Sequence, residues 1–234
     1  MTNAAAWRVA ALATMNKAAL AAALSGDQAG EWVGAAAELG LAEAQIRLGR
    51  MRLEGEGATR DPHGAFRAFA DAAAQGHGDG HNMLGRCYEN GWGTEIDYPL
   101  AAHHYRIAAE QGLDWAQYNL AHMLLSGTGI AQDRAEAFRW YNQAAAQGHV
   151  RAMSLVGRCH EEGWGTTKNL VAALDCYRRS AEGGYFRGAY NYATMLEQTG
   201  CAANARLWFD RAIATALEPT RSRMIALRKH DLPG

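Results

Sequence analysis

One spacing constrains this chain more than any other feature. A Gly-x-Gly recurs at Gly55/Gly57, Gly91/Gly93, Gly127/Gly129 and Gly163/Gly165, each pair 36 residues after the last. A second glycine series, Gly40, Gly76, Gly112, Gly148 and Gly184, keeps the same 36-residue step. A fixed period of roughly 20–50 residues is the mark of a stacked-repeat architecture. Each unit is one supersecondary element that cannot bury its apolar face alone, so its neighbours complete the core.

Each unit reads as two helices. The first, clearest over residues 42–54, places Ala44, Leu48, Gly49 and Met51 at helical spacing on one narrow face. The Gly-x-Gly ends it, because glycine takes the left-handed conformation that closes a helix. The second helix opens at Asp61, Asp97, Asp133 or Asn169, whose side-chain oxygens can accept from the first free amides. Pro62 follows at the first helical position, where a missing N–H costs little. Ala65, Ala101, Ala137 and Ala173 then let helices approach closely, and Phe69, Tyr105, Tyr141 and Tyr177 fill the space between hairpins. Repeat-invariant positions are packing positions, so those aromatics are assigned to the core. The helix closes on Ala-Ala-Ala-Gln-Gly or Ala-Ala-Glu-Gln-Gly, with the glycine as its C-cap.

The fold expected is all-α: a solenoid of about six antiparallel hairpins with degenerate caps. Residues 1–234 form a single solenoid domain in this reading. Its units are a capping repeat at 6–41, clear repeats at 42–77, 78–113, 114–149 and 150–185, a shortened repeat at 186–217, and a closing helix and tail at 218–234. In the first unit Ser25 holds the N-cap slot and Trp32–Val33 the aromatic slot. In the last, Ala205 and Phe209 come into register after a four-residue deletion, and the basic segment 219–229 supplies the final helix.

Composition excludes several function classes. The 234 residues carry a formal net charge of −1, so no bulk field favours nucleic acid or anionic lipid. No apolar run reaches the ~18 residues that membrane insertion needs. Cys87, Cys159, Cys176 and Cys201 are too few and scattered for a disulfide framework, which places the chain in the cytoplasm. The alternative is a secreted or periplasmic protein with a signal in the apolar stretch 4–24, which Arg8, Asn16 and Lys17 interrupt.

The string Leu-Gly-x-x-Tyr-x-x-Gly-x-Gly, a later Asp, then Ala-x-x-x-Tyr-x-x-Ala-Ala-x-x-Gly, plainest from Leu84 to Gly112, resembles the Sel-one-like repeat (SLR) family. That family is a relative of the tetratricopeptide repeats, and the likeness covers nearly the whole chain. It implies a right-handed superhelix acting as a non-catalytic adaptor or scaffold for another protein or peptide. It names no partner, since the motif residues are the packing residues. Some members are secreted and carry a cysteine pair in every repeat. Here Cys87 and Cys159 share one slot and lack a partner in their own hairpins, which argues against that branch and its suggested penicillin-binding activity.

Transferring the groove-facing slots of tetratricopeptide repeats, by matching Gly49 and its equivalents, gives a ladder of Arg50, Arg86, His122 and Arg158. Neighbouring slots add Trp115, Tyr118 and Tyr190, with Glu54, Glu89, Glu161 and Glu197. Arginine with aromatics is the composition of binding hot spots, and guanidinium forks suit carboxylates or phosphates. The plainer alternative is that the arginines pair with those glutamates and merely solubilise the groove.

The repeats also alternate. Gly85-Arg86-Cys87 matches Gly157-Arg158-Cys159, and Gly91-Trp92-Gly93 matches Gly163-Trp164-Gly165. Trp92 and Trp164 at the loop tips either fold back on the next repeat or stand exposed as anchors for a partner or for self-association.

The nine histidines show no metal-site spacing. His77 and His81 span a loop, and the adjacent His103 and His104 diverge on a helix. No nucleophile elbow or phosphate loop is present, so neither catalysis, metal nor cofactor is expected. A protein-binding adaptor is the leading reading; a groove that takes a small molecule or a cell-wall fragment is the other.

Overall fold

The computed structural model describes residues 3–12, 15, 28–56 and 59–230. Thirteen helices lie among them, with no strand. They are α1 Asn3–Leu12, α2 Ala29–Glu38, α3 Ala42–Glu54, α4 Pro62–Ala74, α5 Gly78–Asn90, α6 Tyr98–Glu110, α7 Asp114–Ser126, α8 Arg134–Ala146, α9 Val150–Glu162, α10 Leu170–Glu182, α11 Phe186–Gln198, α12 Ala202–Thr215 and α13 Thr220–His230. The all-helical expectation therefore holds. The closing helix forms; the Ser25 slot lies outside the described residues.

Helices pack with their sequence neighbours. α3 pairs with α4, α5 with α6, α9 with α10 and α11 with α12, and each hairpin leans on the next through α4 on α5, α8 on α9 and α10 on α11. The chain divides into two compact units, residues 1–116 with 127–131, and residues 117–126 with 132–234. In the first, Ile46, Phe69, Met83, Leu84 and Cys87 form a buried cluster. In the second, Tyr177 packs with Met195, and Phe209 with Ala193 and Leu196.

The local signals act as expected. Asp61, Asp97, Asp133 and Asn169 accept from the amides of Gly64, Leu100, Glu136 and Ala172 at 2.8–3.0 Å. Each of these capping residues also donates its own N–H back to the preceding helix, to Arg52, Tyr88, Leu124 or His160, closing the hairpin turn. Phe69, Tyr105, Tyr141 and Tyr177 are buried.

Three details differ from the sequence reading. The buried face of α3 is centred on Gln45, Ile46 and Gly49, while Ala44, Leu48 and Met51 are only half-buried. The C-caps of α4, α6 and α8 are Gln75, Gln111 and Gln147; the glycine follows one place later. α5 begins at Gly78, so His77 alone precedes it and His81 sits in its first turn.

Where both glycines of a Gly-x-Gly are described, the two do different work. Gly55, Gly91 and Gly163 close their helices in the left-handed conformation. The second glycine lies against the first turn of the preceding repeat's second helix. A Cβ on Gly93 would stand 2.1 Å from the Pro62 carbonyl oxygen, one on Gly129 2.5 Å from Tyr98, and one on Gly165 2.0 Å from the Arg134 carbonyl oxygen. Only a residue without Cβ permits that approach. Glycine in the first helix serves the aromatic slot: a Cβ at Gly85 would meet the Tyr105 ring at 2.6 Å, and one at Gly157 the Tyr177 ring at 2.9 Å.

Candidate functional site

A hydroxyl buried with its tyrosine ring needs a hydrogen-bond partner. Tyr105 donates to Glu89 at 2.6 Å, and Tyr177 to Glu161 at 2.6 Å. Burial, then the neighbouring glutamate, pushes both phenols far above their ordinary range. Where Leu125 replaces the glutamate, the Tyr141 hydroxyl lies 3.5 Å from His122 Nδ1 instead. Where the slot holds Leu53, the aromatic is Phe69, which has no hydroxyl to satisfy.

Glu89 and Glu161 are thereby committed, and they do not pair with the ladder arginines. Arg86 lies over the Trp92 ring with its guanidinium carbon 4.8 Å from the centroid. Arg158 lies over Trp164 at 5.0 Å. Neither arginine forms an ion pair among the described residues; Arg86 has a long contact to Met83 Sδ at 3.9 Å. Arg50 approaches Asp79 at 3.8 Å, at the limit of an ion pair.

The two loop tryptophans are half-buried. Trp92 packs on the cluster built from its own and the preceding hairpin, so it folds backward rather than onto the next repeat. The cause is the loop's docking on the earlier helix through Gly93. His63 Nδ1, 2.9 Å from the Gly93 carbonyl oxygen, adds to that contact.

The remaining ladder residues scatter. Tyr118 is half-buried, stacked 6.5 Å from His122 and 4.9 Å from His149. Tyr190 meets Phe209 edge-on at 5.2 Å and belongs partly to the core. Trp115 is 45% exposed.

Two depressions accompany these faces. In the first unit about 550 Å³ is enclosed by Val33, Ala36, Leu41 and Ile46 with Arg47 and Arg50 at its rim. In the second, about 370 Å³ lies between Tyr185 and Trp208 beside Glu182 and Arg211.

A histidine cluster went unread in the sequence. His81 and His104, from α5 and α6, place their Nδ1 atoms 3.0 Å apart, and His104 stacks on Tyr88 at 5.6 Å. One ring must donate and the other accept, so at least one is neutral. Burial, then the charges of His81 and His103, lowers His104 to about 4; burial, then His103, lowers His81. A His whose folded pKa is depressed contributes stability present above its unfolded pKa, near 6.5, and lost as pH falls toward the folded value. The melting temperature is therefore expected to drop between pH 6.5 and 4, and to drop less steeply in His104→Gln. Parallel melting curves for the two proteins across that window would refute the assignment. Among the described residues no group of three or more His, Cys, Asp and Glu is placed to hold a metal. Burial pushes Cys87 up to about 12 and Cys159 to about 11, which keeps both thiols protonated and unreactive at neutral pH.

The Sel1 repeat model matches residues 42–77, 78–113, 116–149 and 150–185, more than half of the chain. The chain belongs to the Sel1 repeat family. A protective antigen of uropathogenic Escherichia coli displaying an SLR fold is 26% identical at a TM-score of 0.74, over 89% of this chain and 45% of that one. This Sel1 repeat chain thus spans less than half of the antigen's length. A Sel1 repeat protein from Oxalobacter formigenes is 24% identical at a TM-score of 0.72, covering 92% of this chain and 82% of its own. An immunity protein from Pseudomonas aeruginosa shares the fold at a TM-score of 0.53 and 18% identity, over 74% of this chain and 66% of that one. No curated protein matches the sequence.

Sel1 repeat proteins are generally protein-interaction scaffolds and typically non-catalytic. No helix among the described residues is long and apolar enough to cross a membrane.

Proposed function

We propose that this Sel1 repeat protein is a non-catalytic adaptor that docks a partner protein or peptide on the face of its first helices, through Arg50, Arg86, His122 and Arg158 with Trp115, Tyr118 and Tyr190 beside them. The observation that carries the reading is the state of Arg86 and Arg158. Both are exposed, each lies over an indole, and neither forms an ion pair among the described residues. A guanidinium resting on an aromatic ring loses less freedom on binding than a free one. A solubilising role would leave the arginines paired with Glu89 and Glu161, and those carboxylates are taken by tyrosines.

The test is cross-linked capture from the native host. Arg86→Ala with Arg158→Ala is expected to abolish capture while leaving the melting temperature within about 1 °C, since exposed substitutions cost little. Undiminished capture by the double variant would remove the proposal. A second reading, a small molecule or cell-wall fragment in the groove, draws on the 550 Å³ depression beside Arg50. It expects a thermal shift with metabolites or peptidoglycan fragments and no protein partner.

A further inference from the structure

We infer that Arg86 with Trp92, in one compact unit, and Arg158 with Trp164, in the other, are each a carboxylate receptor that takes an acidic peptide segment of the partner. The inference rests on the docking reading above and names the chemistry of the partner.

The set is complete in two repeats only. Residues 78–113 hold Arg86, Glu89, Trp92 and Tyr105, and residues 150–185 hold Arg158, Glu161, Trp164 and Tyr177. The other clear repeats lack it: Arg50 stands with Leu53, Glu56 and Phe69, and His122 with Leu125, Thr128 and Tyr141. Geometry repeats along with identity. The guanidinium-to-indole distances are 4.8 and 5.0 Å, and both tyrosine–glutamate bonds are 2.6 Å.

Each member of the set has a separate task. The indole, anchored by its loop's docking on the preceding repeat, holds one flat face of the guanidinium. The tyrosine hydroxyl donates to the carboxylate three residues along the arginine's own helix. The arginine itself is exposed. A single guanidinium suits a singly charged carboxylate; a dianionic phosphate calls for several cations. A net charge of −1 also gives no attraction to nucleic acid.

The experiment follows the indole N–H signals of Trp92 and Trp164 in the full ¹⁵N-labelled chain, assigned with single Trp→Phe variants. The probe is hexaglutamate. It is expected to move both indole signals with weak affinities, and more weakly at high salt. Arg86→Gln should silence only the Trp92 response, and Arg158→Gln only that of Trp164. A melting curve on each variant confirms that it is folded.

Still indole signals, or shifts that survive the Arg→Gln changes, would overturn the inference. A phosphoserine peptide that binds through the same arginines more tightly than hexaglutamate would overturn the carboxylate assignment. Host-partner capture lost in the double arginine variant, with hexaglutamate silent, sinks this inference and leaves the docking reading standing. Capture that persists in that variant sinks the docking reading itself.

Discussion

Gly165→Ala is expected to cost about 3 kcal/mol or more, while Gly148→Ala costs about 1 kcal/mol. Both glycines have positive φ, 69° and 92°, so both substitutions incur the left-handed penalty. They differ in their surroundings. Nothing lies within 4 Å of a Cβ built on Gly148, whereas one on Gly165 would be 2.0 Å from the Arg134 carbonyl oxygen. Backbone cannot rotate away as a side chain can, so the loop must lift off the preceding repeat. Thermal melting checks this, with a difference of roughly 4–8 °C in Tm between the variants for a chain of this size. Trp164 should gain exposure in Gly165→Ala, read as a red shift of its fluorescence, because the same loop holds its ring in place. Equal losses in the two variants would show that the close approach contributes nothing.

The second large effect concerns the buried hydroxyls. Glu89→Leu leaves the Tyr105 hydroxyl in the core without an acceptor, at an expected cost of about 1–3 kcal/mol. Tyr105→Phe removes the hydroxyl but strands Glu89 in a half-buried position. The double variant Glu89→Leu with Tyr105→Phe recreates the Leu53/Phe69 pair that the first clear repeat already uses, and it is expected to recover most of the loss. A double-mutant cycle in denaturant measures the coupling. Additive losses would mean that the 2.6 Å bond carries no stability of its own.

The same pairing shows why the candidate site was only partly legible in the sequence. Arg86, Glu89 and Trp92 are three residues apart in turn, and from spacing alone an Arg–Glu pair and an Arg–Trp stack are equally available. The choice is made by Tyr105, which lies on the next helix and takes the carboxylate. Tyr118 and Tyr190, placed by register on the groove-facing slots, are half-buried against His149 and Phe209 respectively. His81 and His104 belong to different helices, and no spacing rule connects them; their 3.0 Å contact exists only once α5 and α6 pack. A second copy seeking Trp92 or Trp164 would first have to displace the arginine that covers each ring.

The 36-residue glycine step, the capping Asp and Asn residues and the small–aromatic alternation determined by themselves that this chain folds as helical hairpins. Those are local rules of backbone conformation and periodicity, and each hairpin obeys them independently. Tertiary structure alone decided what Gly93, Gly129 and Gly165 are for, which way Trp92 turns, and which groups claim Glu89 and Glu161. These depend on contacts between repeats and between paired helices, where hydroxyl, carboxylate and guanidinium compete at distances below 5 Å for one another. The glycine repeat thus specifies the scaffold, and the competition at its helix faces sets what Arg86 and Arg158 are free to bind.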